Sequence, residues 1–175
     1  MLIVVSGTSG SGKNTVINEI IAKNPNVKIM KSYTTRPPRG ENDNAYHFVS
    51  IKELEGKIKR NEMFEVEEVH KGTFYGISKE SLENTKNGIY IKDVDVNGSM
   101  KLKKYLGDGA KLVYLDVDKN ELIERLKVRG ENEESIKLRI SRYEYEKTFA
   151  KNYDLVILNN DLDKTVNLIM KIFNI

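Results

Sequence analysis

The sequence predicts an α/β fold, a doubly wound parallel sheet with helices on both faces. Short apolar runs rich in β-branched residues recur along the chain, as in strands that are buried on both sides. Between them lie stretches with apolar residues three and four positions apart, as in helices that pack on a sheet. Strand and helix patterns therefore alternate, which is the order typical of this fold class.

The elements of this core can be placed on the sequence in chain order. We expect strands at Leu2–Val5, Gly88–Val96, Lys111–Val117 and Leu155–Leu158. We expect helices at Lys13–Lys23, Asn97–Leu106, Lys119–Val128 and Asp161–Phe173. The first strand runs through a glycine-rich turn straight into the first helix, and this turn is the first candidate for a functional site.

Two stretches interrupt the alternation. Residues 32–78 contain Pro37-Pro38, short aromatic-rich runs and a helix-like segment at Ile51–Arg60, which together predict a small β-rich insertion. Arg129–Tyr145 is highly charged and predicts a mobile helical lid. We therefore expect a core formed by residues 1–31, 82–120 and 146–175, an insertion at 32–81 and a lid at 121–145.

Composition limits the classes of function. A chain of 175 residues suggests one domain with room for small insertions. The net charge of +3 is too weak to indicate nucleic-acid binding. The absence of cysteine excludes disulfides, thiolate metal sites and cysteine nucleophiles. The segment Met1–Gly7 turns polar after five residues, so we expect neither a signal peptide nor a membrane span, and a cytoplasmic location.

The glycine-rich turn predicts a phosphate-binding loop. Its residues are Gly7, Thr8, Ser9, Gly10, Ser11, Gly12, Lys13, Asn14 and Thr15. Glycines let backbone N–H groups point at phosphate oxygens, the helix N-terminus adds its positive dipole, and Lys13 adds a full charge. Asn14 stands where a magnesium-binding hydroxyl is usual, and Thr15 could supply that hydroxyl instead. The alternative is a tight connection without function, but the pattern favours a nucleoside triphosphate.

A second anion site is suggested by the start of the insertion. Arg36 and Arg39 lie three apart on a segment stiffened by two prolines, with Ser32, Tyr46 and Tyr75 in the same insertion. Arginine binds phosphate with a rigid fork of donors, so these residues form a plausible clamp. The alternative is a solvated basic loop.

Together with the phosphate loop, the insertion strongly resembles the guanylate kinase family. The family patterns S-x-T-T-R-x-P-R, Y-x-F-V-S and Y-Y-G-T-S are matched by Ser32–Arg39, Tyr46–Ser50 and Phe74–Ser78. Further matches follow in the family's order at Met63–Glu65, Asp93–Gly98, Arg125–Gly130, Glu133–Arg139 and Val156–Asp161. The resemblance covers nearly the whole chain, and the shared order makes it more specific than any single motif.

The resemblance implies roles for individual residues. It implies GMP binding by Ser32, Arg36, Arg39, Glu41, Tyr46, Glu65, Tyr75, Ser78 and Asp95. It implies ATP binding by residues 7–15 and by Asn159, near the adenine. It implies a magnesium site that involves Thr15 and Asp93. Arg129 and Arg139 would approach the nucleotide phosphates when the lid closes, and would join Lys13, Arg36 and Arg39 as the catalytic cations.

The chemistry of guanine agrees with these implied roles. Guanine presents N1–H and N2–H₂ donors, which the acceptor-only carboxylates of Glu65 and Asp95 would satisfy, whereas adenine has an unprotonated N1 there. Asp93 and Asp95 are two apart on a strand and should face the same way. Two alternatives stay open at this point: Glu65 as a solvated strand residue, and Asp93 or Asp95 as a helix N-cap.

Four departures from the family pattern affect details. The loop between Arg39 and Tyr46 is shorter than in the family by about two residues. The family position to which Glu41 corresponds is therefore not fixed. Ile77 stands where a hydroxyl usually helps to hold guanine, with Ser78 next to it. Lys92 lies in a strand and must reach a carboxylate or the surface, because an uncompensated buried charge is costly. Asn14 is the fourth departure.

The resemblance thus implies an ATP:GMP phosphotransferase that also accepts dGMP and works with Mg²⁺. We expect a monomer or homodimer with no nucleic-acid or membrane partner. One rival is a non-catalytic guanylate-kinase-like binding module, which the intact Gly12-Lys13 pair argues against. Another rival is a related kinase with a different acceptor, which Ile77 keeps open.

Overall fold

A five-stranded parallel sheet forms the centre of the molecule. The computed structural model describes residues 1–38, 40 and 43–175, with backbone alone at residues 69 and 70. The strands of this sheet are β1 (Leu2–Ser6), β2 (Val27–Ile29), β7 (Ile89–Asp93), β8 (Ala110–Asp116) and β9 (Leu155–Leu158). Their spatial order is β2-β7-β1-β8-β9, and every pair is parallel. The expected parallel sheet is confirmed.

Helices cover both faces of the sheet. The helices are α1 (Lys13–Lys23), α2 (Ile51–Lys59), α3 (Lys79–Asn84), α4 (Val96–Leu106), α5 (Lys119–Val128), α6 (Glu133–Lys147) and α7 (Leu162–Phe173). Side chains of β1 alternate between two cores: Ile3 and Val5 pack with α1 and α7, whereas Leu2 and Val4 pack with α4. This alternation follows from the two-residue period of a strand, and it confirms the doubly wound class.

A second sheet is formed within residues 32–78. Its strands are β3 (Ser32–Thr34), β4 (Tyr46–Phe48), β5 (Met63–His70) and β6 (Thr73–Ser78), in the order β4-β3-β6-β5. The β3–β6 and β5–β6 pairs are antiparallel, and β3 and β4 are parallel. Ser50 is the N-cap of helix α2, and its hydroxyl accepts a hydrogen bond from the backbone N–H of Glu53. The expected β-rich insertion with one helix is what the structure shows.

Helices α5 and α6 share a small hydrophobic cluster of their own. Val117, Leu122, Leu126 and Tyr143 are buried in it. The charged stretch expected as a lid therefore contains a full helix, which begins after the N-cap Asn132. In the described part of the chain, no helix is both long enough and apolar enough to cross a membrane.

Candidate active site

The phosphate loop connects β1 to α1 in the expected manner. Gly12 adopts a left-handed conformation with φ of 91° directly before Lys13, the first residue of α1. The Lys13 ammonium donates hydrogen bonds to the carbonyl oxygens of Gly7 at 2.6 Å and Thr8 at 2.8 Å. Within the described residues, the hydroxyls of Thr8 and Ser11 are buried without a hydrogen-bond partner. The loop thus carries a cation and two spare hydroxyls, as an anion site would.

The electrostatic environment of Lys13 favours an anion. Burial lowers the pKa of Lys13 below its usual value, and the cationic side chains of Arg129 and Arg139 lower it further. The nearby carboxylates of Asp93 and Glu146 oppose this shift without cancelling it. A phosphate bound beside these three cations would relieve their mutual repulsion.

The side chain of Asn159 holds the backbone of the phosphate loop in place. Its side-chain amide donates to the carbonyl oxygen of Ser11 at 2.7 Å, and a Cβ placed on Gly12 would lie 2.7 Å from the same amide nitrogen. Asn159 itself is buried. The structure thus places this side chain against the loop backbone. Its role near adenine, which the resemblance implies, stays a prediction.

Arg125 is a loop-supporting residue to which the sequence analysis gave no role. Its guanidinium donates to the carbonyl oxygens of Gly10 at 3.3 Å and Asn159 at 3.1 Å, and it pairs with Glu121 at 2.6 Å one helical turn away. The family match at Arg125–Gly130 contains this arginine and was the signal that could have identified it. Arg125 therefore links α5 to the phosphate loop.

The two arginines that the sequence analysis assigned to a lid approach the loop differently. Arg139 of α6 donates to the Ser9 hydroxyl at 2.5 Å and pairs with Glu131. Arg129 ends α5, is exposed, and lines a groove of about 460 Å³ together with Gly10, Gly12 and Thr15. Both cations are close enough to affect Lys13. The structure thus brings the predicted lid cations to the loop.

A cavity of about 250 Å³ lies between the two sheets. It is lined by Ser32, Tyr46, Glu65, Glu67, Tyr75, Gly76, Ile77, Lys92, Asp93, Val94, Asp95 and Gly98. Five of the residues predicted to bind GMP meet in this cavity: Ser32, Tyr46, Glu65, Tyr75 and Asp95. Its volume is close to the lower end of the range for small-molecule sites.

The two carboxylates expected to read guanine have different environments. Asp95 is the N-cap of α4, and its Oδ1 accepts hydrogen bonds from the backbone N–H groups of Asn97 at 2.8 Å and Gly98 at 3.0 Å. The N-cap alternative therefore holds for Asp95, with its carboxylate also at the cavity wall. Glu65 is mostly buried and pairs with the exposed Lys101, so it is not a fully solvated strand residue.

Ser78 is not among the residues that line the cavity. Its hydroxyl accepts a hydrogen bond from the backbone N–H of Ser81, since Ser78 is the N-cap of α3, and it also contacts the Ser81 hydroxyl at 2.8 Å. Ile77 lines the cavity instead. The hydroxyl that the family places here is thus replaced by an apolar side chain, and Ser78 does not substitute for it.

Arg36 lies in a neighbouring cavity of about 600 Å³ that shares Tyr46, Tyr75 and Asp93 with the first cavity. Its guanidinium forms two hydrogen bonds to Asp43, at 2.6 and 3.0 Å. The ring of Tyr46 lies 4.8 Å from it. The other predicted residues of this segment, Arg39 and Glu41, lie outside the described residues.

Lys92 meets the requirement set by its sequence position. Its side chain is 4% exposed, and its ammonium pairs with Asp93 at 2.6 Å. Burial alone would lower the pKa of Lys92, but Asp93 and the Tyr46 hydroxyl outweigh burial and raise it. The Lys92 ammonium also lies 4.7 Å from the Tyr46 ring centre. The buried charge is therefore compensated, and it lies at the wall of the smaller cavity.

Thr15, the predicted metal-binding residue of α1, and its neighbour Asn14 line different cavities. Asn14 lines the larger cavity with Asp93, whereas Thr15 lines the groove beside Arg129. Successive helical residues point about 100° apart, so the two side chains face different directions. Asn14 thus lies in the same cavity as Asp93, and the metal role of Thr15 stays a prediction.

Comparison with known proteins agrees with this geometry. The guanylate kinase family model matches residues 1–174. A guanylate kinase from Bacteroides thetaiotaomicron is 39% identical, over 99% of this chain and 90% of that protein. One from Porphyromonas gingivalis is also 39% identical, over 97% and 94% of the two chains.

Comparison with solved structures also identifies a guanylate kinase as similar. The crystal structure of guanylate kinase from Anaplasma phagocytophilum superposes with a TM-score of 0.75 at 25% identity, over 99% of this chain and 84% of that one. A family model that spans nearly the whole chain, relatives of similar length and a matching fold all agree. This chain belongs to the guanylate kinase family.

Proposed function

We propose that this protein is a guanylate kinase that transfers the γ-phosphoryl group of ATP to GMP, giving ADP and GDP, and that also accepts dGMP. The observation that carries the proposal is the adjacency of two sites. The phosphate loop with Lys13 and the cavity with Glu65 and Asp95 are joined through Asp93, which lines the cavity and affects Lys13 electrostatically. Donor and acceptor nucleotides would meet between them.

Guanine would bind in the smaller cavity. The carboxylates of Glu65 and Asp95 accept hydrogen bonds only, which suits the N1–H and N2–H₂ donors of guanine and opposes the lone pair of adenine N1. Asp95 Oδ1 already accepts two backbone hydrogen bonds, so its Oδ2 is the oxygen available to guanine. Ile77 would contact the base through apolar packing alone.

The phosphate of GMP would bind beside Arg36, Arg39, Tyr46 and Tyr75. Transfer from ATP would be direct and in line, because the GMP phosphate oxygen is itself the nucleophile and no side-chain nucleophile is needed. The residues of this chain would position the two anions and neutralise the charge on the transferring group. Lys13, Arg36, Arg39, Arg129 and Arg139 are the proposed catalytic cations.

The residues at the loop fit a magnesium ion that accompanies ATP. Asp93 offers a carboxylate and Asn14 an amide oxygen in the same cavity, and Mg²⁺ prefers oxygen ligands together with substrate phosphates. We therefore propose Asp93 with Asn14, in place of Thr15, as the protein side of this site. When bound, the ion would supply charge neutralisation for the phosphates.

We also propose the division of the chain into core, insertion (residues 32–81) and lid (121–145). Closure of the latter two on the core would exclude water from the transferring group. A cytoplasmic location would suit a kinase that uses ATP and GMP. The oligomeric state, a monomer or a homodimer, stays a prediction.

Substitution of Lys13 tests the phosphate loop. Lys13→Ala should abolish GDP formation from ATP and GMP while the protein stays folded by circular dichroism, because the loop loses its full charge. Lys28→Ala removes an exposed lysine from β2 and should leave turnover unchanged. Near-normal activity of Lys13→Ala would refute the assignment.

A further inference from the structure

Arg36 is already paired with an anion of this chain. Its Nη1 donates to Asp43 Oδ2 at 2.6 Å and its Nη2 donates to Asp43 Oδ1 at 3.0 Å. The two side chains are only 10% and 15% exposed. The carboxylate thus occupies the two-nitrogen edge of the guanidinium, which is the edge that a phosphate binds in the same bidentate way.

The guanidinium is held in place by more than this pair. Nη1 also donates to the carbonyl oxygen of Pro37 at 2.9 Å. The rings of Tyr46 and Phe48 lie 4.8 and 5.3 Å from the guanidinium carbon. Hydrogen bonding to Asp43 raises the pKa of Arg36 above its usual value. Arg36 is therefore preorganised, and among the described residues Asp43 is the acidic side chain that pairs with it.

Asp43 and a bound GMP phosphate would compete for this arginine. Asp43 lines the larger cavity together with Tyr46, Tyr75 and Asp93, where the GMP phosphate is proposed to bind. Two anions on the same edge of one guanidinium would repel each other. A phosphate dianion has more charge and one more oxygen than a carboxylate, and the tyrosine hydroxyls give that oxygen a partner. The phosphate therefore wins the exchange.

We propose that Asp43 is an internal competitor that occupies the phosphate-binding edge of Arg36 until the dianionic phosphate of GMP displaces it. The inference rests on the proposed function of this site. In the ligand-free protein, Asp43 keeps the Arg36 side chain ordered. Only an anion that binds Arg36 more strongly than Asp43 does can break the ion pair. A ligand that carries guanine without phosphate gains nothing from Arg36, and the pair stays closed.

Calorimetric titration with GMP and with guanosine tests the exchange. Asp43→Asn keeps the shape of the side chain but weakens the competitor, so it should bind GMP about five-fold more tightly than wild type. Its affinity for guanosine should be unchanged. Asp108→Asn removes an equal charge from an exposed turn and should leave both affinities as in wild type. Unchanged or weaker GMP binding by Asp43→Asn would overturn the proposal.

The wild-type protein provides a second test that needs no variant. In a crystal structure with GMP, the Asp43 carboxylate should lie beyond about 4 Å from the Arg36 guanidinium, outside ion-pair distance, and the phosphate should occupy the vacated edge. An intact Arg36–Asp43 pair with GMP bound would overturn the exchange while leaving the kinase function standing. Wild-type protein that binds no GMP would instead overturn the proposed function.

Discussion

The side chain of Asn159 donates a hydrogen bond to the carbonyl oxygen of Ser11 at 2.7 Å, although 148 positions separate the two residues. The backbone N–H of Asn159 also donates to the carbonyl oxygen of Asp116, the last residue of β8, at 2.8 Å. The end of β9 thus holds the phosphate loop from behind. The shape of the loop depends on the last strand of the sheet as well as on its own glycines.

Removal of this support should affect both stability and ATP binding. Asn159→Ala leaves the buried Ser11 carbonyl without its donor, which costs about 1–3 kcal/mol of unfolding free energy. The KM for ATP should rise as the loop loses its fixed shape. Urea denaturation and ATP titration measure the two effects. Asn160→Ala, at the exposed neighbouring position, is the control, and an Asn159→Ala protein as stable as that control would contradict the supporting role.

Loss of the lid arginine should slow the chemical step. Arg139 reaches the Ser9 hydroxyl and is close enough to Lys13 to lower its pKa. Arg139→Ala should lower kcat by about 100-fold, the usual effect of removing one donor from a developing charge, with a smaller change in the KM for GMP. Steady-state kinetics of Lys137→Ala, which removes an exposed cation from the same helix, provides the comparison. Equal kcat values for the two variants would exclude a catalytic role for Arg139.

Glu146 should make stability depend on pH. Burial raises the pKa of Glu146, against the opposing effect of Lys13 and Arg142, and its Oε2 has no hydrogen-bond partner among the described residues. The native state then holds this proton to a higher pH than the unfolded chain does. Its stabilising contribution is present below the unfolded value near 4.5 and is lost as pH rises through the folded value.

Glu146→Gln should therefore gain stability relative to wild type as pH rises from 4.5 to 8. Thermal unfolding across this range measures the difference. Glu144→Gln removes an exposed carboxylate from the same helix and serves as the control. A wild-type protein and a Glu146→Gln variant with parallel pH profiles would show that the Glu146 carboxyl titrates as it does in the unfolded chain.

Long amphipathic helices and strands formed by a continuous apolar run were predictable from sequence, whereas some of the shortest elements were not. Helices α1 and α5 have the expected bounds, because ten or more residues give a clear apolar stripe. Strand β2, with three residues, and helix α3, with six, are too short for a period to emerge. Helix α4 begins one residue earlier than expected because Asp95 caps it.

The site was predictable to a similar degree. The partner of Lys92 could be anticipated, since a buried charge requires one, and it is the adjacent Asp93. The hydrogen-bond partners of the Asn159 and Ser78 side chains were not predictable, because the fold decides which backbone groups lie within reach of each side chain. Asp43, the partner of Arg36, lies in the loop between Arg39 and Tyr46, where the sequence departs from the family pattern and the resemblance therefore predicts no partner.

The most direct test of the central claim is release of ADP from MgATP by the purified protein, with GMP, dGMP, AMP, UMP and dTMP offered separately as acceptors. We predict rapid turnover with GMP and dGMP alone, because the carboxylates of Glu65 and Asp95 match guanine and Ile77 adds no further polar requirement. Turnover with another acceptor would contradict the assignment as a guanylate kinase. Folded protein that binds GMP but shows no turnover with any acceptor would contradict it as well.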